Sequence, residues 1–154
     1  MGLYRILSFF VNFFCAFLAV ITAVGLMVSL SNPAGLLQVF LMASVVLYGW
    51  FANKFYLEVI MKLQKMSKKQ KDWLQVNGIV ALVFSILGIS NSIYIYYNPD
   101  TFDDLLSEMP EKIADPHQML INVATVLLVF CALLLVHIIW TYKLVKKHAD
   151  SFEG

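Results

Sequence analysis

Charged residues are scarce in this chain, and long stretches contain none. They make up 14% of the 154 residues, while hydrophobic residues make up 60%. An average soluble domain contains about 25% charged residues. No Asp, Glu, Lys or Arg occurs in residues 6–53, 73–99 or 116–142. A soluble fold of this length needs more charged surface, so the composition predicts a membrane protein.

The chain also lacks the motifs on which most enzyme active sites depend. Gly-rich phosphate loops, HExxH and Gly-x-Ser-x-Gly are absent. Cys15 and Cys131 are its two cysteines, and they form no Cys-x-x-Cys pair for redox chemistry. We expect both thiols to be packing groups, and the sequence leaves open whether they approach each other. We therefore predict neither enzymatic activity nor a bound cofactor or metal.

The three uncharged stretches are long enough for four membrane-spanning helices. A bilayer core is about 30 Å thick and needs about 20 apolar residues per helix, and a helix satisfies its own backbone groups in lipid. The first stretch holds two such lengths, divided by turn-forming residues at 31–35. We predict an all-α, four-helix membrane bundle that forms a single domain. The predicted spans are about 6–30, 34–56, 74–97 and 118–142, with a basic linker at 57–73 and an acidic loop at 98–117.

The positive charges favour one orientation of these spans. Of the 11 Lys and Arg residues, ten precede the first span, lie beside or in the linker, or follow the fourth span. Only Lys112 lies in the acidic loop. By the positive-inside rule, the linker and both termini are cytoplasmic. We therefore predict a multi-pass protein of the cytoplasmic membrane, with its N- and C-termini inside. The net charge of +1 gives no indication of nucleic-acid binding.

Two sequence patterns predict where helices begin. Asp115 followed by Pro116 is typical of an N-cap and a first helical position, with Gln118 three residues after the cap. Asp72 is placed to cap the third span.

Small residues recur at steps of three and four in the first and third spans, which places each set on one helical face. Such faces let helix backbones approach closely. We expect the first and third spans to make the tightest contacts in the bundle, with a seam between two copies as the alternative. The predicted packing residues are Ala16, Ala19, Ala23, Gly78, Ala81, Ser85 and Gly88.

Several polar residues within the spans form a candidate polar site. We expect His137 to be a neutral residue that hydrogen-bonds between helices. Haem ligation by two histidines of this helix is unfavourable, because His117 lies 20 residues away, about 30 Å along a helix axis. The candidate residues are Asn12, Asn77, Asn122, Thr125 and His137.

The charged segments between spans allow two binding hypotheses. Lysines of the linker, Lys65, Lys68, Lys69 and Lys71, are candidates for binding anionic lipid head groups, although a solvated turn is the simpler interpretation. The acidic loop has His117 nearby but lacks the glycine and ligand spacing of a calcium loop. We expect that loop to be solvated.

These patterns predict a small integral membrane protein without catalytic activity, namely an accessory, regulatory or scaffold subunit. Its expected partners are the lipid bilayer and either a second copy or another membrane protein. The alternative is an oligomeric pore or carrier for a neutral or lipophilic solute, lined by the polar residues of the spans.

Overall fold

Four long helices dominate the computed structural model, which describes residues 2–29, 35–103 and 115–153. They are α1 (Gly2–Ser29), α2 (Leu36–Phe55), α3 (Lys68–Tyr97) and α4 (Pro116–Lys147). Each is long and apolar enough to span a membrane, with α2 counted through Met61. The prediction of an all-α fold with four apolar helices is therefore confirmed. Residues 31–34 of the predicted turn and 104–114 of the acidic loop lie outside the described residues.

Consecutive helices pack side by side, and α4 also contacts α1. The contact of α3 with α4 is the most extensive, and that of α1 with α4 is the smallest of the four. Hydrogen bonds join Tyr4 to Thr141 and Tyr142 to Gln75. The first turn of α1, the end of α2, the start of α3 and the end of α4 therefore share one end. We call it the basic end, and the opposite end the acidic end.

At the basic end, α2 widens into a π-helical turn over Tyr56–Met61. Leu63 then adopts a left-handed conformation with φ 55°, which ends the helix and reverses the chain. A short strand β1 (Met66–Ser67) leads into α3, and the Ser67 hydroxyl accepts a hydrogen bond from the Gln70 amide at 3.4 Å. The prediction that Asp72 caps this helix was wrong, because Ser67, five residues earlier, caps it.

The start of α4 agrees with its sequence pattern. The Asp115 carboxylate accepts a hydrogen bond from the Gln118 amide at 2.9 Å, and Pro116 is the first helical residue. The predicted N-cap is therefore confirmed.

The segment after α4 folds back over the basic end. A 3₁₀ turn (Ala149–Ser151) leads into strand β2 (Phe152–Glu153), which pairs in parallel with β1. The Phe152 ring stacks on Phe55 with centroids 5.9 Å apart, and Lys71 lies over the same ring at 4.9 Å. The last residues of the described chain thus join α2, α3 and α4.

The small residues of α3 pack as predicted, but against a different helix. Gly78 lies against Tyr142 and Gly88 against Cys131, both on α4, while Ala81 and Ser85 are fully buried. The expectation that α1 and α3 make the tightest contacts was wrong, because these helices are diagonal to each other.

The predicted packing face of α1 was also wrong. Ala16 and Ala23 are exposed and Ala19 is only half-buried. A different stripe is buried, one that combines large and polar side chains: Tyr4, Leu7, Ser8, Val11 and Cys15. Aromatic packing and hydrogen bonds orient α1 here, so the stripe of smallest residues faces outward.

Candidate functional site

Five polar side chains from three helices meet inside the basic end, and we call them the polar cluster. Helix α1 contributes Tyr4 and Ser8, α2 contributes Tyr48, and α4 contributes His137 and Thr141. All five are buried, and Tyr4 and Tyr48 are fully inaccessible. The cluster is the most extensive set of hydrogen bonds between helices in the described chain.

Helical spacing places these residues together. Tyr4 and Ser8 are four residues apart on α1, and His137 and Thr141 are four residues apart on α4, so each pair lies on one face over successive turns. Tyr48 of α2 forms hydrogen bonds with both members of the α4 pair. The cluster therefore needs α1, α2 and α4 in a single relative arrangement.

The donors and acceptors of the cluster assign the tautomer of His137. The Thr141 hydroxyl donates to the His137 carbonyl at 2.8 Å, so its oxygen accepts from Tyr4 at 2.9 Å and from Tyr48 at 3.1 Å. Because Tyr48 has a single proton, it accepts the Nδ1–H of His137 at 2.8 Å. The Ser8 hydroxyl then donates to Nε2 at 3.0 Å. Every polar hydrogen of the cluster is used when the imidazole is neutral.

Aromatic contacts hold the imidazole in this orientation. The Tyr4 ring stacks on His137 with centroids 5.2 Å apart and planes 12° apart. The rings of Trp140 and Tyr56 also pack against Tyr4, with centroids 5.7 and 5.6 Å away. Both ring nitrogens of His137 have hydroxyl partners, so a metal ion or a substrate proton would reach them only by displacing Ser8 or Tyr48.

His137 thus forms hydrogen bonds between helices as predicted, but the other residues of the candidate polar site do not join it. Asn77 donates to the Trp73 carbonyl of its own helix at 2.8 Å. Asn122 and Thr125 are exposed near the acidic end, and Asn122 accepts from Gln118 at 3.0 Å. Asn12 is half-buried, near Gly49.

Four members of the polar cluster were not recognised as site residues from the sequence. Tyr4 and Tyr48 resemble the other aromatic residues of an apolar chain, and Ser8 resembles a small packing residue. The available signal was the repeated four-residue spacing of hydrogen-bonding side chains, Tyr4 to Ser8 and His137 to Thr141. That signal identifies a polar face on α1 and on α4, but it does not identify Tyr48 as the partner.

The two cysteines are separate packing groups. Both are buried and free. The Cys15 thiol lies against Gly49 of α2, and the Cys131 thiol lies against Gly88 of α3. Each thiol fills the space that a glycine leaves on the neighbouring helix.

An open groove separates α1 from α4 towards the acidic end, and we call it the α1–α4 groove. It encloses about 430 Å³ and begins where the Phe14 and Phe130 rings meet, with centroids 5.1 Å apart. Its walls are almost entirely apolar, and they include Phe17, Ile21, Val123 and Val126.

The charged side chains lie at the two ends of the bundle. The predicted head-group lysines Lys65, Lys68 and Lys69 are exposed, and Lys71 is half-buried. At the acidic end, potential ligand atoms of Asp100, Asp103 and His117 lie within 4.8 Å of one another. His117 and Asp103 are already 3.3 Å apart as an ion pair when the imidazole is protonated, and all three residues are exposed.

Comparisons with protein-family models, with curated proteins and with solved structures found no match to this chain.

Proposed function

We propose that this chain crosses the cytoplasmic membrane four times, with its basic end in the cytoplasm, and acts there as a non-enzymatic accessory or scaffold subunit. Its four helices are long and apolar enough to span a bilayer, and large apolar side chains are exposed on all of them. Ten of the 11 Lys and Arg residues belong to the basic end, which supports a cytoplasmic location for that end. There, Lys65, Lys68, Lys69 and Lys71 face the anionic head groups of the inner leaflet.

The α1–α4 groove is the observation that carries the subunit proposal. Helices α1 and α4 pack together at the basic end but leave a cavity of about 430 Å³ towards the other end. Lipid offers little drive for helix association, so close packing of complementary surfaces is what joins membrane helices. A groove with apolar walls fits a helix of another chain.

The polar cluster supports a structural role for the N-terminal part of α1. It fastens the first two turns of α1 to α2 and α4 through Tyr4 and Ser8. Beyond these turns, the buried residues of α1 are Val11, Cys15 and Ser29. One end of α1 is therefore anchored, while its other end presents a surface for a partner.

A pore or carrier, the alternative raised by the sequence, has less support. Ser85 and Ser92 donate to carbonyls of their own helix at 2.8 Å, as Asn77 does. These groups have partners without water or solute, and they do not form a continuous polar path with His137.

The proposal is tested by filling the α1–α4 groove. The variant Ile21→Trp/Val126→Trp places two indole rings in it, and Val83→Trp/Ile86→Trp places two on exposed positions of α3. After extraction in a mild detergent, we expect the wild-type chain and the α3 variant to co-purify with a second copy or another membrane protein. The groove variant is expected to lose that partner while it remains folded.

Two results would contradict the proposal. The first is a wild-type chain that is a lone monomer in mild detergent and after crosslinking in its own membrane. The second is solute flux through liposomes that contain the purified chain and that stops when Asn77 and His137 are replaced by Leu, because such flux would favour the pore.

A further inference from the structure

A second groove lies between α3 and α4 at the basic end, and its chemistry changes along its length. Its outer part encloses about 440 Å³ and is lined by Lys71, Lys143 and Lys146 with Gln75 and Tyr142. Its inner part encloses about 450 Å³ and is lined by apolar residues, among them Ile79, Leu82 and Ile139. Tyr142 and Lys143 border both parts, so the two parts adjoin each other. We call the whole the α3–α4 groove.

The outer part concentrates positive charge. Lys143 and Lys146 are three residues apart and share one face of α4, opposite Lys71 of α3. None of the ion pairs described in the structure, Lys54–Glu58 and His117–Asp103, involves these three lysines. Lys71 lies over the Phe152 ring, a contact that leaves its positive charge without an acidic partner in the described chain. These three lysines are therefore suited to binding an anion.

The inner part has the shape of a slot for an apolar chain. Gly78 leaves room for Tyr142, since a Cβ atom on Gly78 would lie 2.9 Å from the tyrosine ring. The Tyr142 hydroxyl donates to the Gln75 carbonyl, which holds the ring between the charged and the apolar parts. Lys71 and Leu82 are 11 residues apart, about 16 Å along the helix, and one leaflet of a bilayer core is about 15 Å deep.

We propose that the α3–α4 groove binds one anionic phospholipid, with the phosphate at Lys71, Lys143 and Lys146 and an acyl chain along Ile79, Leu82 and Ile139. Basic pockets between helices on the cytoplasmic side are suited to anionic head groups. A soluble phosphate has no acyl chain to fill the apolar part. A neutral lipid has no net negative charge to pair with the three lysines. Of the head-group lysines predicted from the sequence, only Lys71 lines this site, while Lys143 and Lys146 come from α4. This inference rests on the proposed membrane insertion with the basic end at the inner leaflet.

The test uses the full chain in phosphatidylcholine nanodiscs, to which phosphatidylglycerol with the same acyl chains is added in increasing fraction. We expect phosphatidylglycerol to raise the unfolding temperature with a saturable midpoint. The variant Lys143→Gln/Lys146→Gln shifts that midpoint by roughly 30-fold, about fivefold for each lysine. The matched variant Lys62→Gln/Lys147→Gln removes two charges at exposed positions of the same end that do not line the groove, and it leaves the midpoint nearly unchanged.

The apolar part is tested separately. Ile139→Trp fills the inner slot while all lysines remain, and it abolishes the saturable effect, whereas Val83→Trp on an exposed part of α3 preserves it. Equal shifts in the two lysine variants would mean general surface attraction and would overturn the site. So would a normal response of Ile139→Trp, full stabilisation by inorganic phosphate alone, or stabilisation by a soluble acidic peptide in place of the lipid.

The lipid titration can succeed or fail independently of the test of the proposed function. The titration requires only the folded chain in a nanodisc, and it does not depend on a protein partner. Failure of membrane insertion or of partner binding is detected by other variants, in co-purification and in labelling of cells.

Discussion

The Tyr48 hydroxyl is the residue-scale feature that links α2 to both α4 members of the polar cluster. It accepts from His137 at 2.8 Å and donates to Thr141 at 3.1 Å. In Tyr48→Phe the Nδ1–H of His137 loses its partner in a site without water access. We expect the free energy of unfolding to fall by about 1–2 kcal/mol, measured by SDS titration in mixed micelles.

Tyr96→Phe is the matched control for this substitution. Tyr96 also donates its hydroxyl proton to a threonine, Thr125, but both residues are exposed. Its loss is expected to change the free energy of unfolding by less than about 0.5 kcal/mol. Equal effects of the two substitutions would show that the polar cluster contributes no more than a surface contact.

Leu63 is a second residue at which backbone geometry makes a prediction. Its φ of 55° lies in the left-handed region, which costs a residue with a Cβ atom about 1 kcal/mol relative to glycine. Its side chain is 83% exposed, so little packing is lost on truncation. We expect Leu63→Gly to raise the free energy of unfolding by about 0.5–1 kcal/mol in the same SDS titration.

Leu57→Gly serves as the control, because Leu57 is also exposed but lies in the helical turn before the bend. Glycine there is expected to cost about 1 kcal/mol. Destabilisation of similar size at both positions would contradict the role assigned to the left-handed bend.

The sequence predicted the character of His137 but not its surroundings. An uncharged span with one titratable side chain indicates a hydrogen-bonded imidazole, because an unpaired polar group in apolar surroundings is costly. The identity of the partners depends on the rotation of α1 and α2 about their axes. Tyr4 and Tyr48 carry no local pattern that separates them from aromatic residues at a membrane surface.

At the scale of helix pairs, glycine and cysteine fit together at the α3–α4 contact. A Cβ atom on Gly88 would lie 2.4 Å from the Cys131 sulfur. Gly88→Ala is therefore expected to lower the free energy of unfolding by about 1–3 kcal/mol through overpacking, as measured by thermal or SDS unfolding. Cys131→Ala in the same chain removes the obstructing sulfur and is expected to recover most of that loss.

Gly25→Ala controls for the general effect of replacing a helical glycine. Its nearest neighbour would be a Val39 methyl group at 3.3 Å, a contact that a small shift relieves. If Gly88→Ala is no worse than Gly25→Ala, or if Cys131→Ala does not rescue it, the close approach of α3 and α4 at this point is not supported.

The four helices were predictable from the sequence, but which helices pack against each other was not. Gaps in charge locate α1 to α4 because ionised side chains are costly in apolar surroundings. Small residues at steps of three and four identify the packing face of α3, but a face alone does not specify the opposing helix. On α1 the same pattern was misleading, since Tyr4 and Ser8 orient the helix and leave Ala16 and Ala23 exposed.

At the scale of the whole molecule, charge and hydrogen bonding divide the bundle into two unlike ends. The basic end holds the polar cluster, the paired strands β1 and β2, and the α3–α4 groove with its three lysines. Towards the acidic end α1 and α4 diverge around an apolar groove. The better-bonded end is thus the one that we propose to be cytoplasmic.

This assignment makes a topology prediction that can be tested in intact cells. In a Cys15→Ala/Cys131→Ala background, Thr101→Cys and Gln64→Cys each place a single thiol at an exposed position, one at each end of the bundle. Because positively charged ends are retained in the cytoplasm, we expect a membrane-impermeant maleimide to label position 101 in intact cells. Position 64 should react only after permeabilisation, and the background without cysteine should not react under either condition. Labelling of both positions from outside, or of position 64 alone, would contradict four crossings with a cytoplasmic basic end.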